Sequence, residues 1–184
     1  MKSNNMLAVA VATILGFSAL NAHAQKDPMV GGAAMYPTKN IVENAVNSKD
    51  NTTLVAAVKA AGLVDTLESP GPFTVFAPTN EAFDKLPSGT VDTLLKPENL
   101  DQLKKILTYH VVAGKLTSKD IAKQIKEGKG KATLTTVEGG TLTAMMEGDK
   151  LVLTDEKGGT ATVTISNVYQ SNGMIHVIDT VLMP

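Results

Sequence analysis

Between Pro72 and Leu86 the chain reads PFTVFAPTNEAFDKL, and no other stretch restricts its folding as tightly. Phe73 and Val75 alternate with Thr74 and Phe76, the period of a strand whose successive side chains point to opposite faces. Pro78 has no N–H to give to a central ladder, so the strand is expected to end there. Thr79 or Asn80 then serves as a helix cap, with Glu81 in the favourable first turn and Phe83 and Leu86 on one helical face. Thr79, Asn80 and Glu81 could also be read as a ligand box, but capping alone accounts for those residue types at those positions. The chain has three tyrosines and four phenylalanines; setting aside Phe17 in the apolar N-terminal run, three of the remaining six aromatics fall in this unit. Each can bury ~150–250 Å², so this strand–turn–helix is expected at the centre of the core.

Around it the pattern is helical first and strand-like last. Ile41, Val42, Ala45 and Val46 have helical spacing behind a Thr38 cap, and Leu54, Val55, Val58 and Ala61 form a second stripe behind Thr52 or Thr53, ended by Gly62. Leu63, Val64 and Leu67 add a short apolar turn before Pro70-Gly71-Pro72 breaks the pattern. Downstream, Ser88 to Leu95 reads as a short helix, and Pro97 opens a longer one with Leu100, Leu103, Ile106 and Leu107 facing inward. Tyr109-His110-Val111-Val112 reads as a strand closed by Ala113-Gly114, followed by a helix from Thr117 or Ser118 to Gly128. Beyond Lys131 the period becomes two, giving strands over 132–137, 141–146, 151–154, 160–169 and 174–182. Glycine-containing turns at 138–140, 148–149, 158–159 and 172–173 separate them. The predicted class is α+β, with an antiparallel sheet assembled from the C-terminal half.

The N-terminus predicts export. Lys2, an apolar run from Met6 to Leu20 and Ala22-His23-Ala24 have the form of a secretory signal over residues 1–24. The run is shorter than the ~20 residues a membrane-spanning helix needs. Residues 25–37, with Pro28 and Gly31-Gly32, read as a flexible linker, leaving a single domain over 38–184. Without the signal, 16 lysines face 18 acidic residues, a net charge of −2, which provides no field for nucleic acid. No arginine is present, which counts against bidentate phosphate recognition, and no cysteine, which excludes thiol catalysis, disulfides and a lipoprotein anchor. No apolar tail follows the last strand, so neither a lipid anchor nor an integral membrane segment is expected after signal cleavage. A monomer, secreted or periplasmic, is the expectation.

Three segments, TVFAPTNEAF (Thr74–Phe83), the pair Tyr109-His110 and NGMIHVID (Asn172–Asp179), occur in the order and spacing of the fasciclin (FAS1) domain, which the chain resembles from Thr38 to Met183. NTTLVAAVKAAGLVDTL (Asn51–Leu67) is also similar to the N-terminal helices of bacterial secreted single-domain members. The resemblance implies two β-sheets forming a wedge with several helices packed around it. It also implies cell adhesion or extracellular interaction with a cell-surface or matrix protein or polysaccharide, and neither catalysis nor a cofactor. In animal members a similar Tyr-His segment, flanked by branched apolar residues, is implicated in integrin adhesion. By that resemblance Tyr109 and His110, flanked by Ile106, Leu107, Val111 and Val112, are the partner-binding residues. An Asp-Ile adhesive pair of the family is replaced by Asn167-Val168.

Other chemistry finds little support. Only His110 and His176 remain outside the signal, and Asp179, three residues beyond His176, points to the opposite face of one strand, so no metal site is expected. Ser171, His176 and Asp179 contain the residue types of a hydrolase without its nucleophile-elbow motif. Met145-Met146 and Met174 could meet copper, although core filling is commoner. Lys119, Lys123 and Lys126, with Lys129 and Lys131, form a basic helix face open to solvent or to an acidic polysaccharide. Asn51-Thr52-Thr53 is a glycosylation sequon in a compartment that reads one. The alternative to an interaction domain is a periplasmic binder of a small molecule or metal ion.

Overall fold

The computed structural model describes residues 27–184; the predicted signal, 1–24, lies outside them. The chain forms a two-stranded hairpin, β1 (Met29–Val30) and β2 (Ala33–Ala34), and then α1 (Ile41–Ala45), α2 (Thr52–Ala60) and α3 (Val64–Glu68). Strand β3 (Phe73–Pro78) follows, then α4 (Asn80–Asp84), α5 (Thr90–Leu94), α6 (Leu100–Tyr109), β4 (Val111–Ala113) and α7 (Ser118–Glu127). The C-terminal part is β5 (Ala132–Thr135), β6 (Thr141–Glu147), β7 (Lys150–Thr154), β8 (Thr160–Gln170) and β9 (Gly173–Ile178).

Seven strands share one order, β4-β3-β9-β8-β7-β6-β5, antiparallel throughout except for the parallel pair β3–β9. The eleven-residue β8 makes the wedge: Thr160–Thr162 pair with β7, while Val163–Gln170 pair with β9 through two irregularities in register. Bulges bend a strand and increase its twist, which carries β8 from one sheet into the other. The ends of the order nearly close, since Val112 bridges Thr136 and the Val137 N–H donates to Val111 O at 2.7 Å.

Strands β3 and β9 are buried on both faces. Val75, Ala77, Ile175 and Val177 enter one apolar cluster with α1, α2, α4 and α6. Phe76 and Ile178 enter a second, with Ile121 and Ile125 of α7 and Leu134, Leu142 and Leu153 of the outer strands. The period-two reading of Phe73–Phe76 therefore holds, with a core on either side. In the register, Gly173 faces Phe73, and a Cβ there would lie 2.1 Å from Phe73 O, so only glycine permits the strands to approach.

Three local expectations are corrected. The cap of α1 is Asn40, not Thr38: its side chain accepts the Glu43 N–H at 2.8 Å, and the Glu43 carboxylate accepts the Asn40 N–H at 2.8 Å. Helix α2 has no cap from Thr52 or Thr53, which are its first helical residues; instead Asn80 Oδ1 accepts the Thr53 N–H at 3.0 Å from across the fold. Thr79 caps α4 as expected. Within the segment read as linker, Val30 and Met35 are 3% and 1% exposed and Gly31 O accepts the Lys49 N–H. Lastly, Tyr109 ends α6 and His110 is its C-cap, so the strand begins only at Val111. Two consecutive inward residues fit a helix end closing onto a sheet, whereas a strand would have separated their faces.

Candidate functional site

The Tyr109-His110 pair is a junction inside the molecule. Tyr109 has no exposed surface; its hydroxyl donates to Thr141 O at 2.7 Å and accepts the Glu156 N–H at 3.2 Å, tying α6 to β6 and to the β7–β8 turn. Burial pushes the phenol above its ordinary range, aided by the nearby carboxylates of Glu156, Asp155 and Glu138, so it remains a donor. His110 is 2% exposed and contacts Ile106 O through Nδ1 at 2.8 Å, while Nε2 accepts the Leu182 N–H at 3.0 Å. A carbonyl can only accept, so the proton is assigned to Nδ1 and the ring is neutral. Burial holds its pKa down at about 4, against smaller opposing effects of the Ile106 carbonyl and Asp155. Next to it, Asp155 Oδ2 accepts the Met183 N–H at 3.0 Å, and Oδ1 accepts from Lys157 and Gly159. One imidazole and one carboxylate thus fasten the segment after β9, and neither Tyr109 nor His110 reaches the surface.

The remaining candidates do not assemble into reactive groups. His176 has both ring nitrogens engaged, Nε2 with Leu116 O at 2.8 Å and Nδ1 with the Asn167 N–H at 3.4 Å, and its ring stacks on Phe76. It has no lone pair left to activate Ser171, and Asp179 instead accepts from the Thr162 N–H and the Thr180 hydroxyl. Among the described residues no three His, Asp or Glu side chains gather as a metal site. Met174 is buried in β9, and β8 and β7 lie between it and Met145-Met146 of β6. Lys119, Lys123 and Lys126 lie on the exposed side of α7 opposite Ile121 and Ile125, with Lys123 3.8 Å from Glu127. Asn51, in the sequon, is 3% exposed, accepts from Ser48 and donates to Pro78 O, so the folded domain hides it from glycosylation. Asn167 has φ +60° and exchanges two hydrogen bonds with Ser118, holding the start of α7.

Sequence reasoning missed a different face. Of the described aromatics, Tyr36 is 44% exposed and Tyr169 half-buried, and each carries a lysine ammonium over its ring: Lys39 at 5.2 Å and Lys115 at 5.0 Å. The face is pinned from beneath. Buried Asn44 binds the Tyr36 backbone in both directions, at 3.0 and 2.8 Å, and donates to buried Gln170. The Ser171 N–H donates to Lys39 O at 2.9 Å, joining the segment before α1 to the β8–β9 turn. Between them opens a cleft of about 470 Å³ whose walls include Asp27, Pro37, Lys115, Asn167, Tyr169 and Ser171. The available signal was scarcity: with the phenylalanines committed to the core, a tyrosine at 36, in a segment read as linker, and another at 169 were surplus to it.

The fasciclin domain family model matches residues 49–184. The chain belongs to the fasciclin family. Protein sll1483 of Synechocystis sp. is 48% identical over 160 residues, spanning 87% of this fasciclin chain and 82% of the relative. Immunogenic protein MPB70 of Mycobacterium bovis is 35% identical over 208 residues, 100% of this chain and 99% of that one. Cell surface glycolipoprotein MPB83 of the same species is 36% identical over 86% of this chain, which spans 61% of that relative's length. A solved FAS1 domain pair from the insect cell adhesion molecule fasciclin I superposes with a TM-score of 0.69 at 22% identity, over 79% of this chain and 51% of the pair. That likeness shows the fold: a mixed α+β domain with a nearly closed sheet flanked by helices. No described helix of this fasciclin domain is long and apolar enough to cross a membrane.

Proposed function

We propose that this chain is an exported fasciclin interaction domain that recognises a cell-surface or matrix component through a rigid face, without catalysis. The observation that carries this reading is the pinned tyrosine–lysine face of Tyr36, Lys39, Lys115 and Tyr169. Exposed aromatics held in place provide large contact area at low entropic cost, which is why they dominate recognition surfaces. Tyr109 and His110 act in this proposal as the internal frame of the domain rather than as its contact. Export is supported by the signal-like pattern of residues 1–24 and by the cell-surface designation of the mycobacterial glycolipoprotein. The alternative, a small-molecule binder, is favoured by one observation: an apolar void of about 60 Å³ between the N-terminal helices and the sheet, lined by residues such as Val58, Leu67 and Ile175. That volume suits only a small apolar guest.

The deciding experiment is attachment of cells to immobilised protein, with Tyr36→Ala, Tyr169→Ala and His110→Ala variants run beside thermal melts. Loss in the two surface variants with unchanged melting supports the proposal. Equal attachment by the parent and both surface variants moves the contact elsewhere. No attachment by the parent, together with a saturable rise in melting temperature on adding small apolar molecules, favours the alternative.

A further inference from the structure

We propose that the cleft between Pro37, Lys115 and Tyr169 binds an acidic polysaccharide built from uronic acids, with single carboxylates spaced along an otherwise neutral sugar chain. This rests on the recognition reading above and names the partner of that face.

The site is concave and mixed, unlike the basic face of α7. Its walls combine an aromatic ring (Tyr169), a proline (Pro37), an amide (Asn167) and a hydroxyl (Ser171), the groups that a sugar's apolar face and its hydroxyls respectively require. Lys115 supplies the positive charge of the cleft, and neither it nor Lys39, which lies outside the lining, has a carboxylate partner within 4.0 Å among the described residues. Each instead lies over a tyrosine ring, which positions the ammonium before any ligand arrives and lowers the cost of ordering it. An ammonium is a compact point charge that suits one carboxylate; a dense array of sulfates or phosphates would call for arginine forks, and the chain has no arginine.

The charges of opposite sign decide between classes of acidic polymer. Asp27 shares the cleft with Lys115, and Glu68 lies in the adjoining depression around Ser171 and Asn172. Glu43, also there, is engaged by the Asn40 N–H. A polymer with charge at every position would set one of its anions against Asp27 or Glu68, whereas a polyuronate can place a carboxylate at Lys115 and a neutral edge beside the acids. The face is also prebuilt, since Asn44, Gln170 and the Ser171–Lys39 bond fix both walls to the domain.

The test measures binding of the folded protein to polygalacturonate, dextran and heparin by affinity electrophoresis, at low and at 0.5 M salt, beside the cell-attachment assay. The expected result is retardation by polygalacturonate only, weakened by salt, with a loss of roughly tenfold in Lys115→Ala and in Tyr169→Ala at unchanged melting temperature. Stronger retardation by heparin than by polygalacturonate overturns the spaced-charge assignment. Equal retardation by dextran removes the role of the lysines. Retardation that neither substitution alters shows that the polymer binds another face, such as α7. Cell attachment lost in Tyr169→Ala without retardation by any polymer leaves the recognition face standing and overturns the polysaccharide in favour of a protein partner. Failure of both assays overturns both.

Discussion

Tyr109 closes α6 with no exposed surface and with both the proton and a lone pair of its hydroxyl engaged, whereas Tyr169, near the end of β8, is half-buried beneath the ammonium of Lys115. The two regions use one kind of side chain in opposite ways. At the junction, every polar atom is matched inside, so the groups specify geometry and have nothing left to offer a ligand. At the face, the backbone is matched inside and the side chains are left outward. A surface built in this way is held in shape because its hydrogen bonds are spent on the main chain beneath it.

The sharpest way to break this contrast is Tyr109→Ala. It removes a fully buried aromatic and orphans the Glu156 N–H, and should destabilise by about 4 kcal/mol or more in chemical denaturation. A loss under 1 kcal/mol would show the junction to be dispensable. Acid provides the next test. The folded pKa of His110, about 4, lies below the ordinary 6.5, so its contribution is complete above pH 6.5 and is lost as pH falls toward 4, by up to about 3 kcal/mol. His176, also held down by burial, acts in the same direction. Denaturation midpoints read across pH 4–7 should therefore fall with acid, and less steeply in His110→Gln.

A smaller effect is expected at Asn172, whose Nδ2 donates to Leu67 O and Ser69 O while Oδ1 accepts the Ile41 N–H. Asn172→Asp sets a carboxylate against two carbonyl oxygens and should cost about 1–3 kcal/mol. On the other side of the comparison, Tyr169→Ala should change stability by about 1 kcal/mol or less yet reduce attachment, and a large stability loss would move Tyr169 into the same role as Tyr109. Least of all, Lys123→Ala on α7 should alter stability by less than about 0.5 kcal/mol and leave attachment unchanged.

Periodicity made most of the fold legible. The strand ending at Pro78, the Thr79 cap and the five C-terminal strands stand close to their predicted positions, because apolar spacing and turn residues act locally. The family motifs are legible for the same reason that they are structural: FTVFAP and GMIHVI are the parallel pair, buried on both faces. What escaped the sequence depends on residues far apart. Nothing near Thr53 reveals that Asn80 caps its helix, and nothing near Tyr36 reveals that Asn44 and Gln170 hold it. Tyr109-His110 was misplaced because helix C-terminal turns and short strands look alike over four residues. The surface cleft was invisible because its walls come from residues near 27–37, 115 and 167–171, which meet only after the sheet has formed.

The parallel pairing of β3 with β9 also sets a timetable. Phe73 waits for Gly173 and Pro78 for Ile178, so β9, which joins β3 to β8, is made after the other described strands. Until then β3 and β8 each lack a neighbour, and both apolar clusters lack a wall. Contacts so distant in sequence close slowly, and without β9 the β5–β8 meander stays separate from the β3–β4 pair. A chain that cannot fold early remains threadable, which is compatible with the export proposed for it.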